Sequence, residues 1–253
     1  MSRRLRPLNV LAFLLALATA STTSAQRSYA LPPEALDDEH LRLAIEVIVE
    51  ALYERCDARR HWEPRTWESP IHGSATQKGG YTALAVLALL HAGESYQDPR
   101  LRDAIAALEK AALEGTYAVS VRASAWAQLP PRFEKALEAD VAWLTRGFSE
   151  IAPGWDYEGD PDTTSRDNSI RQFGALALWE AARRGIAVDD RYWRHLEQAF
   201  LESQLPDGGW NYRADRAPPR GSMTCAGLAT LYITQDLLHA RDATRLRRRG
   251  ASP

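Results

Sequence analysis

The segment Gln204-Leu205-Pro206-Asp207-Gly208-Gly209-Trp210-Asn211-Tyr212 has a weaker copy, Gly154-Trp155-Asp156-Tyr157, with the two tryptophans 55 residues apart. Each copy follows an amphipathic stretch and precedes a nearly all-apolar one. A unit of that kind cannot bury its apolar stretch alone, so the repetition predicts helical pairs stacked around a shared core.

Hydrophobic periodicity gives the first member of each pair. A helix is expected over about residues 39–55 with Leu41, Ile45, Ile48 and Leu52 on its buried face. The same spacing returns at Leu101, Ile105, Leu108 and Ala112 after Asp98-Pro99, and at Leu137, Val141, Leu144 and Phe148 after Pro130-Pro131. A shorter version, Trp193, Leu196 and Phe200, follows Asp189-Asp190. Charges such as Arg102, Glu109, Glu138 and Glu197 occupy the opposite faces, which puts these helices on the outside. Between them lie Tyr81–Leu90, Ile170–Ala182 and Met223–Leu238, apolar around most of their circumference and therefore surrounded by other helices. Tyr117–Leu129 holds the equivalent place, made less uniform by Arg122 and Gln128. The expected fold is all-α, with outer and inner helices alternating in four hairpins. Inner-to-outer links are short; the outer-to-inner links 62–80, 153–168 and 206–221 are long and hold the aromatic and glycine residues, so a site should border them.

Outside this region, Arg3, Arg4 and Arg6 precede the apolar run Val10–Ala18, and Thr23-Ser24-Ala25 supplies small residues for cleavage. Residues 1–25 read as a signal peptide, which implies a periplasmic or secreted chain with no stable transmembrane span after cleavage. Residues 26–38 read as an extended lead-in and the arginine-rich 240–253 as a disordered tail. Loss of the three leader arginines takes the formal net charge from −2 to −5, and interspersed charges argue against a nucleic-acid partner. Cys56 and Cys225 lie near the two ends of the repeat region; they either pair as a disulfide or remain two buried thiols, and their spacing makes no zinc site.

Gln204-x-x-Asp207-Gly208-Gly209-Trp210 resembles the QW-type repeat of the terpenoid cyclase and protein prenyltransferase superfamily, whose members are α/α toroids. Asp167-Asn168-Ser169 and Gly221-Ser222-Met223-Thr224 are similar to the phrases that precede inner helices in bacterial exported proteins carrying prenyltransferase and squalene oxidase repeats. The resemblance implies an α/α toroid over about residues 39–239, an incomplete barrel of about four helical hairpins with an uncovered flank for a ligand or protein partner. It also implies a structural role for the motif: the Gln204 amide bonds a neighbouring helix end, the Trp210 ring stacks on it, and Asp207-Gly208-Gly209 makes a tight turn.

The same resemblance supplies chemistries to test against the residues. Class II cyclases need an Asp-x-Asp-Asp cluster; the nearest approach, Asp160-Pro161-Asp162, lacks the last acid. Prenyltransferase zinc sites need an Asp two residues before the Cys, and Met223 stands there before Cys225. Glycan-active toroids pair acids with aromatic platforms, for which Asp156, Tyr157, Asp160, Asp162, Asp167, Trp210, Asn211 and Tyr212 are suitable types, although Asp167 also suits the N-cap of the following helix. His61, His72, His91, His195 and His239 form no metal or triad pattern. The resulting expectation is a non-catalytic binding or scaffold module without cofactor or metal. Its ligand-binding candidates are Trp155, Asp156, Tyr157, Asn168, Gln172, Asn211 and Tyr212. The competing class is an enzyme on a glycan or isoprenoid, using Asp160, Asp162 or Asp167.

Overall fold

The structure, a computed structural model, describes residues 37–63 and 76–239. The expected signal peptide (1–25), nearly all of the lead-in, the basic tail (240–253) and His72 lie outside the described residues. Among the described residues the protein is all-α, with α1 (Asp38–Glu54), α2 (Gly80–His91), α3 (Pro99–Lys110), α4 (Thr116–Ala127), α5 (Glu134–Arg146), α6 (Asn168–Arg183), α7 (Asp190–Glu202) and α8 (Gly221–Thr234). A 3-10 turn, Pro131–Phe133, leads into α5, and a π turn, Gln235–His239, continues α8. No described helix is long and apolar enough to cross a membrane.

The chain divides into two units. The first ends at Ala44 and contributes only the opening of α1, where Asp37 Oδ1 accepts the His40 amide at 2.8 Å. In the second unit, α2, α4, α6 and α8 pack in series, each against the next. Helix α3 lies against α2, α5 against α4 and α6, and α7 against α6 and α8. Burial follows this division only for α4 and α6; α2 and α8, expected to be surrounded, instead expose Tyr81, Leu84, Leu228 and Tyr232, because neighbouring helices cover only part of their circumference. Nine of the twelve residues of α4 are buried but only five of the thirteen of α7, so the first is surrounded and the second has a wet face. Asp98, Asp167 and Asp189 start α3, α6 and α7 by accepting the amides of Arg100, Ser169 and Arg191.

The periodic faces of α5 and α7 are buried as expected, with Phe148 buried just beyond α5. On α3, Leu101, Ile105 and Leu108 are buried, but Ala112 lies past the helix end and is exposed; Ala104 completes the face. Helix α1 departs further: Leu41, Ile45 and Ile48 are exposed, while Val49 and Tyr53 are buried and Leu52 half-buried. The core meets α1 only at its C-terminal turns, where the Tyr53 hydroxyl donates to Glu94 at 3.0 Å and the Arg100 guanidinium lies 3.8 Å over the Tyr53 ring. Cys56 and Cys225 are free, and Cys225 is exposed on α8, so neither the disulfide nor a pair of buried thiols forms.

One hydrogen bond recurs in three of the four pairs. The Nε1–H of Trp62, Trp155 and Trp210 donates to the carbonyls of Leu52, Leu144 and Phe200 at 2.6, 2.7 and 2.8 Å. Each acceptor is the third residue from the end of its helix, α1, α5 or α7, where the helix leaves carbonyls without an internal partner. In the remaining pair the equivalent carbonyl, Leu108 of α3, accepts from Arg122 Nη1 at 3.3 Å. The guanidinium of Arg122 also holds buried Asp140 of α5 through two bonds of 2.9 and 2.6 Å, so the residue that interrupts the apolar α4 stretch is its tether to two neighbours. The expected role of Gln204 is corrected: its amide donates to Gly208 within its own turn, and the indole, not the amide, reaches the helix end. Trp62, flanked by His61 and Glu63, lacks the glycines of the motif and therefore escapes recognition as a third copy.

Each ring then lies on the following helix of the series. A Cβ on Gly174 of α6 would stand 2.4 Å from the Trp155 ring, and one on Gly227 of α8 would stand 2.5 Å from that of Trp210. Three residues before these glycines the helices differ. Thr224 Oγ1 accepts the Trp210 amide at 3.2 Å, and on α2 Thr82 Oγ1 accepts the Trp62 amide at 3.1 Å, whereas α6 has Arg171 at this position.

Candidate functional site

The first turn of α6 is the meeting point of the two described long loops, and its two sides carry different chemistry. On one side Asp167 Oδ1 accepts the amide and the hydroxyl of Ser169, at 2.9 and 2.5 Å. The Ser169 oxygen accepts in turn from the Tyr117 hydroxyl at 2.7 Å, and the Tyr157 hydroxyl donates to Asp167 Oδ2 at 3.3 Å. The Tyr117 ring meets Tyr157 edge-on at 5.8 Å and Phe173 at 4.6 Å. Burial raises both phenols above the ordinary tyrosine range, so they remain protonated donors at neutral pH. Tyr212, 37 % exposed, is held to the start of α6 through its carbonyl, which accepts the Asn168 amide at 2.9 Å. Gln172 is half-buried one helical position from Phe173.

The other expected site residues serve the loops themselves. Trp155 is wholly buried and has no surface to offer a ligand. Asp156 Oδ1 accepts the amides of Glu158 and Asp160 at 2.9 and 3.0 Å, and Asp160 Oδ1 accepts that of Asp162 at 3.0 Å. Asp162 is exposed. Buried Asn168 donates from Nδ2 to the Asn211 carbonyl at 2.9 Å and from its amide to the Tyr212 carbonyl at 2.9 Å, while Asn211 Nδ2 donates to the Pro218 carbonyl at 2.7 Å. These asparagines pin the loop after α7 to the start of α6. Tyr157, Asp167 and Tyr212 are thus brought together, while Asp156 and Asp160 hold the amides of a separate turn and the Asp162 side chain is exposed. Among the described residues no three His, Cys, Asp or Glu side chains are grouped to hold a metal.

No family model, curated protein or solved structure matches this chain. The site is therefore read from its geometry alone.

On the opposite side of α6, a cavity of about 310 Å³ opens between loop residues 150–166, α7 and the loop after it. Arg171 lines it although only 3 % of the residue is exposed. Its Nη1 donates to Asn168 Oδ1 at 3.2 Å, and its buried Nε has no hydrogen-bond partner. Across the cavity His195, stacked on Phe148 at 6.0 Å, holds a buried Nδ1 that is also unpartnered. Burial, with the nearby charge of Arg166 adding to it, pushes the Arg171 guanidinium down to about 10.

The loop is shaped around this arginine. Ser149 and Gly154 exchange two backbone hydrogen bonds, of 2.8 and 3.2 Å, which folds residues 149–154 into a tight turn over the guanidinium stem. Gly154 has φ 132° and passes so close that a Cβ there would stand 2.5 Å from Arg171 Cγ, so both its conformation and its contact require glycine. Sequence reading missed Arg171 and His195. Arg171 lies inside a stretch that reads as apolar, and His195 forms no ligand pattern. The available signal was positional: Thr82-x-x-Ala85 and Thr224-x-x-Gly227 correspond to Arg171-x-x-Gly174.

Proposed function

We propose that this chain is a non-catalytic binding module of the α/α-toroid type, acting outside the cytoplasm, with its ligand taken over the aromatic side of the first turn of α6. The observation that carries this reading is the use of the loop carboxylates. Asp156 and Asp160 hold backbone amides of their own turn and Asp167 caps α6, which occupies the groups an acid–base pair would need. Beside them Tyr157 and Gln172 are half-buried and Tyr212 is partly exposed, which offers ring faces for stacking and a side-chain amide for hydrogen bonds. That combination suits a polyhydroxylated, glycan-type ligand. The QW-like motif and the export-type N-terminus support the toroid and the location, since the motif's indole and its two counterparts serve a repeated helix-pair architecture.

The test is calorimetric titration of the protein with a panel of soluble oligosaccharides, with product analysis of the same mixtures. Saturable binding without turnover is expected, weakened roughly tenfold by Tyr212→Ala, about the value of one stacking or hydrogen-bonding contact. Cleavage products that vanish in Asp160→Asn or Asp162→Asn would establish the competing enzyme reading instead.

A further inference from the structure

We propose that the cavity beside Arg171 is an oxyanion-binding site that takes the carboxylate or phosphate group of a small molecule. The proposal is independent of the aromatic side of α6, since none of its lining residues is Tyr157, Gln172 or Tyr212.

Four observations carry it. A guanidinium buried to this degree is normally matched by an anion or fully hydrogen-bonded, because an unpaired buried charge is costly. Arg171 has one side-chain acceptor, Asn168 Oδ1, and its Nε–H is left without any. Second, the acids at the rim are already engaged: Glu202 accepts the Gln198 amide at 2.7 Å and Glu150 lies 3.5 Å from Arg191. Glu202 and Asp167 act on Arg171 through space, but among the described residues neither forms an ion pair with its guanidinium. Third, the remaining polar groups converge on the same need. Arg166 and His195 line the space along with Arg171, whose Nε is packed beneath Gly154, and a guanidinium is the planar multiple donor that fits a carboxylate or phosphate. Ile151, Pro153 and Ala199 give an apolar wall for the body of a small organic anion, and the cavity volume lies at the low end for small-molecule sites. Fourth, the helix pairs supply their own control. Where α2 and α8 place a threonine that tethers the neighbouring tryptophan backbone, α6 places the buried arginine, and loop 149–154 is folded to admit it. An architecture satisfied twice by a neutral hydroxyl has no packing need for a charge at this position.

The test follows thermal unfolding in inorganic phosphate, acetate and succinate, each against chloride at equal ionic strength. A saturable rise in Tm is expected with at least one oxyanion, and comparison of phosphate with the carboxylates identifies the head group preferred. Arg171→Met is expected to abolish the rise while leaving the unliganded Tm unchanged or higher, since it removes an uncompensated buried cation. Arg166→Gln, at an exposed residue that the fold does not need, is expected to weaken the apparent affinity several-fold and serves if the first variant does not fold. Equal Tm in all four salts, or a rise that persists undiminished in both variants, overturns the proposal. Oligosaccharide binding on the aromatic side is expected to survive both substitutions, so the two readings fail separately.

Discussion

Gly154 and Arg171 are fitted to each other, and so are Gly227 and Trp210. A Gly154→Ala change puts a methyl against the Arg171 stem at a φ that L residues avoid, and should lower stability by about 2–4 kcal/mol in urea unfolding, the combined scale of strain and overpacking. The indole bonds offer a milder probe. Trp155→Phe keeps a ring on Gly174 but strands the Leu144 carbonyl at a helix end that is buried from water, and about 1–3 kcal/mol should be lost by the same measurement. Trp62→Phe should lose less, because that indole is only half-buried and water can replace it.

At the scale of the helix, Arg122 and Asp140 join α4 to α5 across a buried contact. Arg122→Met leaves the Asp140 carboxylate without its partner and the α3 terminus without its donor. A loss of about 3–5 kcal/mol is expected, with much of it recovered in the double variant Arg122→Met/Asp140→Leu. Thermal unfolding of the two single variants and the double variant closes the cycle. Asp98 acts on a single helix end. The Arg100 side chain first, and then its backbone amide, hold the Asp98 carboxyl below the usual carboxylate range. Because the folded value is depressed, the contribution is complete above the unfolded value of about 4 and disappears as pH falls through the folded one. The urea midpoints of wild type and Asp98→Asn should therefore differ at pH 7 and converge only as the pH is lowered below the ordinary carboxylate range.

Across the second unit, stability is unevenly distributed. Helices α1 to α7 feed one large apolar cluster, which α8 joins only through Ile233 near its end, whereas Phe200, Trp210, Met223 and Ala226 form a separate small one under α8. Amides of α8 should exchange with solvent deuterium through a lower-energy opening than those of α4, which has buried residues on every side. Leu228 and Tyr232 on α8 are 58 % and 72 % exposed, so Leu228→Gln and Tyr232→Gln should leave Tm within about a degree or two of the parent.

Local sequence determined the all-α class, the wet faces of α3, α5 and α7, and the caps at Asp98, Asp167 and Asp189, because these depend on residues within a turn or two of each other; that α2 and α8 expose Leu84 and Leu228 was decided by which neighbours cover them. Local sequence also marked the loops that border the site. It misplaced the buried face of α1, since which side of an apolar helix is covered depends on where Glu94 and Arg100 stand. It passed over Trp62 because the indole's partner, not its flanking glycines, defines the repeat. Tertiary structure likewise decided the fate of the loop acids: Asp156 and Asp160 are chemically suitable anywhere, and only the fold shows one oxygen of each holding backbone amides of their own turn. Arg171 is the extreme case. Its side chain reads as one charge in an apolar run, and only the chain packed around it reveals a buried guanidinium that lines a cavity and has one nitrogen without an acceptor.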